Sequence, residues 1–179
     1  MLERQNTFLV MVDVQGKLAQ VMQGKEALFA KLQQLISGIK VLRMPILWCE
    51  QVPDKMGPTI PEVSGLLTGL QPITKSAFSC WGADRFRSAA QSLARKQVLL
   101  AGIEAHVCVY QTAMDMVTAG FEVQVVSDAI SSRNIADRML GQERIREAGA
   151  GLTCVEACLM ELLRDANAPE FKAILKLVK

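Results

Sequence analysis

The sequence predicts an α/β fold: a doubly wound, mainly parallel six-stranded sheet with helices on both faces, forming one domain over residues 1–179. Three observations predict it. Apolar, β-branched runs of strand length recur along the chain, segments of helical periodicity separate them, and polar, reactive side chains stand where several of the runs stop. Half of the residues are hydrophobic and 21% are charged, so a chain of 179 residues can bury a sizeable single core.

The elements follow in order. Thr7-Phe8-Leu9-Val10-Met11-Val12 reads as a central strand buried on both faces, with Asp13 at its carboxyl end. Gly16 and Gly24 bracket a loop or a short helical turn. Lys25 to Leu42 places Leu28, Leu32, Leu35, Ile36, Ile39 and Leu42 on one helical face. Pro45 to Cys49 is a second strand, ending at Glu50-Gln51. Residues 52–69 hold Pro53, Pro58 and Pro61 and predict an irregular excursion over the carboxyl edge of the sheet, a lid or a subunit contact. Gln71 to Lys75 is a short strand and Ala83 to Arg95 a helix with Phe86, Ala90 and Leu93 inward. Gln97 to Ile103 is a buried strand, and a helix beginning near Val107–Cys108 runs from it to a stop at Gly120. Phe121 to Val126 is a further strand ending at Ser127-Asp128. A helix from Asn134 to Ala148, a short strand near Leu152-Thr153, and helices over 156–163 and 169–177 complete the chain.

Composition excludes several classes of function. The formal net charge is +2 and the basic residues are scattered, so neither nucleic acid nor a membrane surface is implied as a partner. No apolar run has the length of a membrane span, and the first residues lack a signal-peptide profile, which predicts a cytoplasmic protein. Cys49, Cys80, Cys108, Cys154 and Cys158 are odd in number and lack a disulfide-framework spacing, as in a reducing compartment. With one histidine, His106, in the chain, neither a metal nor another cofactor is expected.

Asp13, Lys75 and Cys108 fall at the carboxyl ends of three different predicted strands. In a doubly wound sheet those ends border one crevice. A carboxylate can take a thiol proton, a thiolate can attack a carbonyl, and an ammonium favours both anions. A cysteine at a helix N-terminus would also be biased toward the thiolate, with backbone donors nearby for an oxyanion. Each residue has a plainer use: Asp13 as a cap, Lys75 as a solvated cation, and Cys108 as a small buried apolar side chain.

These residues in their contexts resemble the isochorismatase-like, or cysteine hydrolase, superfamily. The likeness is carried by Asp13 after its strand, Lys75-Ser76-Ala77-Phe78-Ser79, Gly102-Ile103-Glu104-Ala105-His106-Val107-Cys108, and Val126 to Arg133. Glu50-Gln51, Gly57-Pro58-Thr59 and Gly102-Ile103-Glu104-Ala105 are most similar to the isochorismatase-domain-containing group. The resemblance implies a Rossmann-like hydrolase fold, with Asp13 as general base, Cys108 as nucleophile and Lys75 lowering the thiol pKa. It implies an oxyanion hole from the backbone N–H groups of Glu104 and Cys108, and a cis peptide between Ile103 and Glu104. Trp48, Glu50, Gln51, Phe78 and Ser79 are expected to line the pocket for a small-molecule substrate. The implied reaction is hydrolysis of a C–N amide bond through a Cys108 thioester, in a homo-oligomer of two or more copies.

Three departures shape that expectation. Nicotinamidases of the superfamily hold a metal with Asp and His after the second strand, where this chain has Glu50-Gln51. Members that cleave isochorismate lack the nucleophilic cysteine, so Cys108 argues against vinyl-ether hydrolysis. Glu104-Ala105-His106 replaces the small and Asp residues common in amidases; Glu104 is expected to shape the pocket or stay solvated, and His106 to serve the turn or an interface. Two other readings stay open: a non-catalytic binding or assembly protein, and a thiol redox sensor.

Overall fold

β1 (Thr7–Val12) has every residue buried, which is what a strand of alternating large apolar side chains requires when both faces are covered. In the computed structural model, which describes residues 1–179, it lies near the middle of a sheet with β2 (Ile46–Gln51), β3 (Ile73–Lys75), β4 (Gln97–Ile103), β5 (Glu122–Ser131) and β6 (Gly151–Thr153). The strand order is β3-β2-β1-β4-β5-β6 and every neighbouring pair is parallel. The doubly wound sheet is therefore the one expected. The order reverses between β1 and β4, and the crevice outside their carboxyl ends is where such sheets hold ligands.

Alternate residues of each central strand feed two apolar layers. Leu9, Met11, Leu99 and Ala101 point to one side, where α2 (Lys25–Val41), α8 (Val155–Leu163) and α9 (Phe171–Val178) cover them. Phe8, Val10, Val12, Val98 and Leu100 point to the other, beneath α5 (Asp84–Ser92), α6 (Tyr110–Thr118) and α7 (Ile135–Glu147). No helix is long and apolar enough to cross a membrane. All five cysteines are free thiols.

The departures from the expected elements lie at the functional end of the sheet. β5 continues through Ser127-Asp128 to Ser131, because a register shift against β4 between Leu100 and Gly102 absorbs the polar pair and lets Ile130 and Ser131 pair again with Gly102 and Ile103. The excursion over 52–69 contains two single-turn helices, α3 (Pro53–Met56) and α4 (Pro61–Ser64), each opened by a proline at a position where its missing N–H costs nothing. α1 (Gly16–Gln20) is the short helical turn, one of the two forms expected between Gly16 and Gly24. The helix expected to start near Val107–Cys108 begins instead as a π-helical turn over Ala105–Val109, before α6.

Gly102, at the end of β4, has φ +124°, and a Cβ there would lie 2.0 Å from the Val12 carbonyl oxygen. The close approach of β4 to the end of β1 therefore depends on this glycine. Gly102→Ala is expected to cost about 3 kcal/mol or more, read as a lowered urea midpoint with an unchanged slope.

Candidate active site

The chain turns sharply just after β1. Asp13 has φ +51°, a left-handed conformation that aspartate tolerates better than most residues, and its carbonyl accepts from the Gln15 N–H at 2.8 Å. Its own N–H still donates to the Cys49 carbonyl at 3.2 Å, so the side chain leaves the sheet from a fixed base. The Asp13 side chain is 2% exposed.

Lys75 closes β3 and its ammonium is completely buried. Nζ donates to Asp13 Oδ2 at 2.6 Å, Gln51 Oε1 at 2.6 Å, the Phe78 carbonyl at 2.9 Å and the Ala77 carbonyl at 3.2 Å. Its three protons thus serve four acceptors, and no donor is left over for a ligand. Gln51 is held in turn: its N–H donates to Gln15 Oε1 at 2.6 Å, and Nε2 donates to the Ser76 carbonyl at 2.7 Å. Gln15 Nε2 donates back to the Gln51 carbonyl and to the Gly57 carbonyl, tying the excursion to the ends of β1 and β2.

This network satisfies one oxygen of Asp13 and leaves the other alone. Oδ1 is buried and has no hydrogen-bond partner in the chain. Burial raises the Asp13 pKa above the ordinary aspartate value, although the Lys75 ammonium works against that rise. Burial is the largest influence on the ammonium of Lys75 and works against it, but Asp13 together with the neighbouring Cys80 and Cys108 outweighs it and the lysine pKa goes up.

Cys108 sits within the π-helical turn after β4. Gly141 of α7 lies flush on the backbone of that turn, where a Cβ would come within 2.7 Å of Ala105 and His106. The peptide between Ile103 and Glu104 is cis. Cys108 is 8% exposed and borders, with Asp13, a cavity of about 160 Å³ walled by Leu18, Gln51, Met56, Phe78 and Val107. Burial pushes its pKa well above the ordinary thiol value, and the Asp13 carboxylate pushes it further; Lys75 pulls it down without prevailing. This corrects the expectation of a low-pKa thiolate. The ammonium spends its hydrogen bonds on Asp13 and three other acceptors, and Cys108 lies inside a π turn rather than at a helix N-terminus.

The remaining expected residues divide. Gln51 and Phe78 line the cavity. Trp48 and Glu50 do not: Trp48 Nε1 donates to Thr59 Oγ1 at 2.8 Å, and Glu50 Oε1 accepts from Thr59 N–H and Oγ1 at 2.7 and 2.8 Å. They anchor the excursion from a neighbouring groove because successive residues of β2 point to opposite sides. Ser79 is also absent from the cavity wall; its Oγ accepts from the Trp81 N–H at 3.2 Å and caps a 3₁₀ turn. The Glu104 N–H, expected in the oxyanion hole, donates to no acceptor in the chain. The Glu104 side chain is buried and paired with Arg133 rather than solvated, and His106 Nδ1 meets Ser132 Oγ at 2.9 Å, tying the turn to the end of β5. Leu18, Met56 and Gln15 were not singled out by the sequence; only a fully buried glutamine next to a strand end would have pointed to the last.

The isochorismatase-domain family matches residues 7–157. The chain belongs to the isochorismatase family. This isochorismatase-domain chain is 35% identical over 178 residues to isochorismatase domain-containing protein 2 of Danio rerio, covering 99% of this chain and 89% of that one. The structure of MAR1 ribonuclease from Caenorhabditis elegans superposes with a TM-score of 0.92 at 33% identity, covering 99% of this chain and 91% of that one. The YcaC gene product of Escherichia coli, described as an octameric hydrolase of unknown specificity, does so with a TM-score of 0.92 at 25% identity, covering 98% and 88%. The fold is thus that of isochorismatase-family hydrolases.

Removing the ammonium strands a buried carboxylate. Lys75→Met is expected to lose about 3–5 kcal/mol of stability, and Asp13→Asn in the same chain to recover most of it, as read by urea denaturation of the single and double variants.

Proposed function

We propose that this chain is a cysteine hydrolase that cleaves the C–N amide bond of a small molecule, with Asp13 as general base and acid, Cys108 as nucleophile and Lys75 as the group that fixes Asp13. One observation carries the reading. The Asp13 carboxylate is clamped through Oδ2 by Lys75 at 2.6 Å, while Oδ1 stays buried, unpartnered and beside the cavity that Cys108 borders. A buried carboxylate oxygen without a donor is costly, and such atoms concentrate where a proton has to be received.

The resting thiol is protonated, so its proton moves only as the reaction begins. Sγ attacks the substrate carbonyl carbon while the S–H proton passes to Asp13 Oδ1. The oxyanion meets the unpartnered Glu104 N–H and the backbone N–H of Cys108. As the C–N bond breaks, Asp13 returns the proton to the departing nitrogen, and an amine or ammonia leaves a Cys108 thioester. Water then attacks the thioester carbonyl and gives a proton to Asp13. The C–S bond breaks, an acid is released, and Asp13 restores the thiol. Amide plus water becomes acid plus amine, with the enzyme unchanged.

The cavity volume of about 160 Å³ lies below the usual range for drug-sized ligands, which supports a substrate of few heavy atoms. Nothing favours transferring the ribonuclease activity printed for the Caenorhabditis elegans relative, because the one buried ammonium is spent within the chain and offers no phosphate contact. Self-association is part of the proposal; exposed Ile135, Met139 and Leu140 on α7 and the octamer described for the Escherichia coli relative support it.

Cys108→Ser and Asp13→Asn are each expected to lower turnover of small primary amides at least a thousandfold, with a Cys108 acyl adduct trapped by mass spectrometry in the wild type. Full turnover in either variant would overturn the reading. Asp13 must be ionised to accept a proton, so kcat/KM should fall as pH drops through its raised pKa, above the ordinary aspartate value of about 3.9. Alkylation of the free enzyme by iodoacetamide should rise only above the ordinary thiol value of about 8.5, with no inflection below it.

A further inference from the structure

Glu104 is a buried carboxylate that the proposed chemistry uses only through its backbone. Its Oε1 accepts from the Arg133 N–H at 3.1 Å and from Arg133 Nε at 3.1 Å. Oε2 accepts from nothing in the chain, and it is not among the polar atoms sealed away from solvent. The Glu104 side chain is 8% exposed, and the residue borders the cavity that holds Asp13 and Cys108. The guanidinium that balances it is far more exposed, at 59%, and is not among the cavity-lining residues. The other polar groups of the wall are committed: Asp13 Oδ2 and Gln51 Oε1 to Lys75, and Gln51 Nε2 to Ser76. The remaining wall is Leu18, Met56, Phe78, Ile103 and Val107. A ligand there meets an apolar sleeve, a thiol and the lone Oδ1 of Asp13, and Glu104, which borders the same cavity, keeps one carboxylate oxygen uncommitted.

We propose that Glu104 selects the substrate: its free Oε2 accepts from a second N–H group, preferably a protonated amine, carried by the small amide that Cys108 attacks. This deepens the cysteine-hydrolase reading and rests on it for the identity of the scissile bond. Two carboxylates on the wall, with no uncommitted cation facing the cavity, disfavour an anionic substrate by like-charge repulsion and unpaired burial. A neutral amide without a second donor leaves Oε2 without a partner as water is displaced. A cation of the same size satisfies it with a charge-assisted hydrogen bond. Oε1 is already held by Arg133, so the acceptor is oriented before the ligand arrives.

Pairs of amides matched in size test this. Glycinamide should exceed propionamide, and β-alaninamide exceed butyramide, by roughly tenfold or more in kcat/KM for at least one pair, with malonamate the poorest substrate. In Glu104→Gln, which retains a partner for Arg133 but presents an amide to the cavity, the ratio within that pair should collapse toward one. Equal rates within both pairs, or a preference for malonamate, overturn the selection by Glu104 while leaving the hydrolase intact. If the wild type turns over none of these amides, the hydrolase reading fails separately. The selection is then read from binding to the folded Cys108→Ser chain, followed by NMR titration. Tighter glycinamide than propionamide supports it, and equal binding overturns it.

Discussion

A carboxylate and an ammonium removed from water together, 2.6 Å apart, set the conditions for everything at the mouth of this sheet. Burying either charge alone costs several kcal/mol, so the pair persists only because further groups complete it. Gln51 and two backbone carbonyls after β3 take the remaining protons of Lys75. Those partners come from the ends of β2 and β3, while Asp13 comes from β1, so the pair also locks three strand ends to one another. Gln15 extends the lock to the excursion above them. The strained left-handed turn at Asp13 is stable in that setting because the ion pair and the Cys49 carbonyl hold it on both sides.

The same pairing decides how the thiol behaves. An ammonium free to face Cys108 would stabilise a thiolate at rest. Here the ammonium bonds to Asp13, burial is the main cost of the anion, the Asp13 carboxylate adds to it, and Lys75 offsets only part. In the proposed mechanism the resting proton therefore sits on sulfur, and its acceptor is Asp13 Oδ1, a buried oxygen with no partner in the chain. Such a division suits the proposed amide hydrolysis better than a standing thiolate does. A protonated, nearly buried thiol resists adventitious oxidation, and charge develops only when a carbonyl is in place to take it. The redox-sensor alternative loses its main support for the same reason, since sensing thiols are low in pKa and accessible.

Much of this was legible in the sequence because the signals are local. Runs such as Thr7–Val12 and Gln97–Ile103 are apolar on both faces, which only a covered parallel strand tolerates, and the polar residue ending a run marks the ligand end of the sheet. Asp13, Lys75 and Cys108 stood out on that ground; Asp13 and Cys108 border one cavity, and Lys75 lies buried behind Asp13, bonded to it at 2.6 Å. What was hidden depends on pairing between distant segments. β5 runs past Ser127-Asp128 because β4 supplies a register shift that its own sequence does not announce. Trp48 and Glu50 carry the side-chain chemistry of a pocket, but strand parity turns them toward Thr59 instead. The direction of the Cys108 shift is set first by burial and then by the nearby Asp13 carboxylate, and residue spacing carries no information about either.

Glu104 shows where the two kinds of information meet. Its place two residues after a glycine that no side chain can replace is a local feature, fixed by the approach of β4 to Val12. Its partner Arg133 arrives from beyond the extended end of β5, and without that extension the carboxylate would face solvent. The register shift in β5 thus does more than lengthen a strand. It delivers a cation to one oxygen of a cavity carboxylate and leaves the other oxygen for whatever enters. Among the polar residues that border the cavity, Glu104 keeps a carboxylate oxygen with no partner in the chain, and that is the group on which the proposed selection rests.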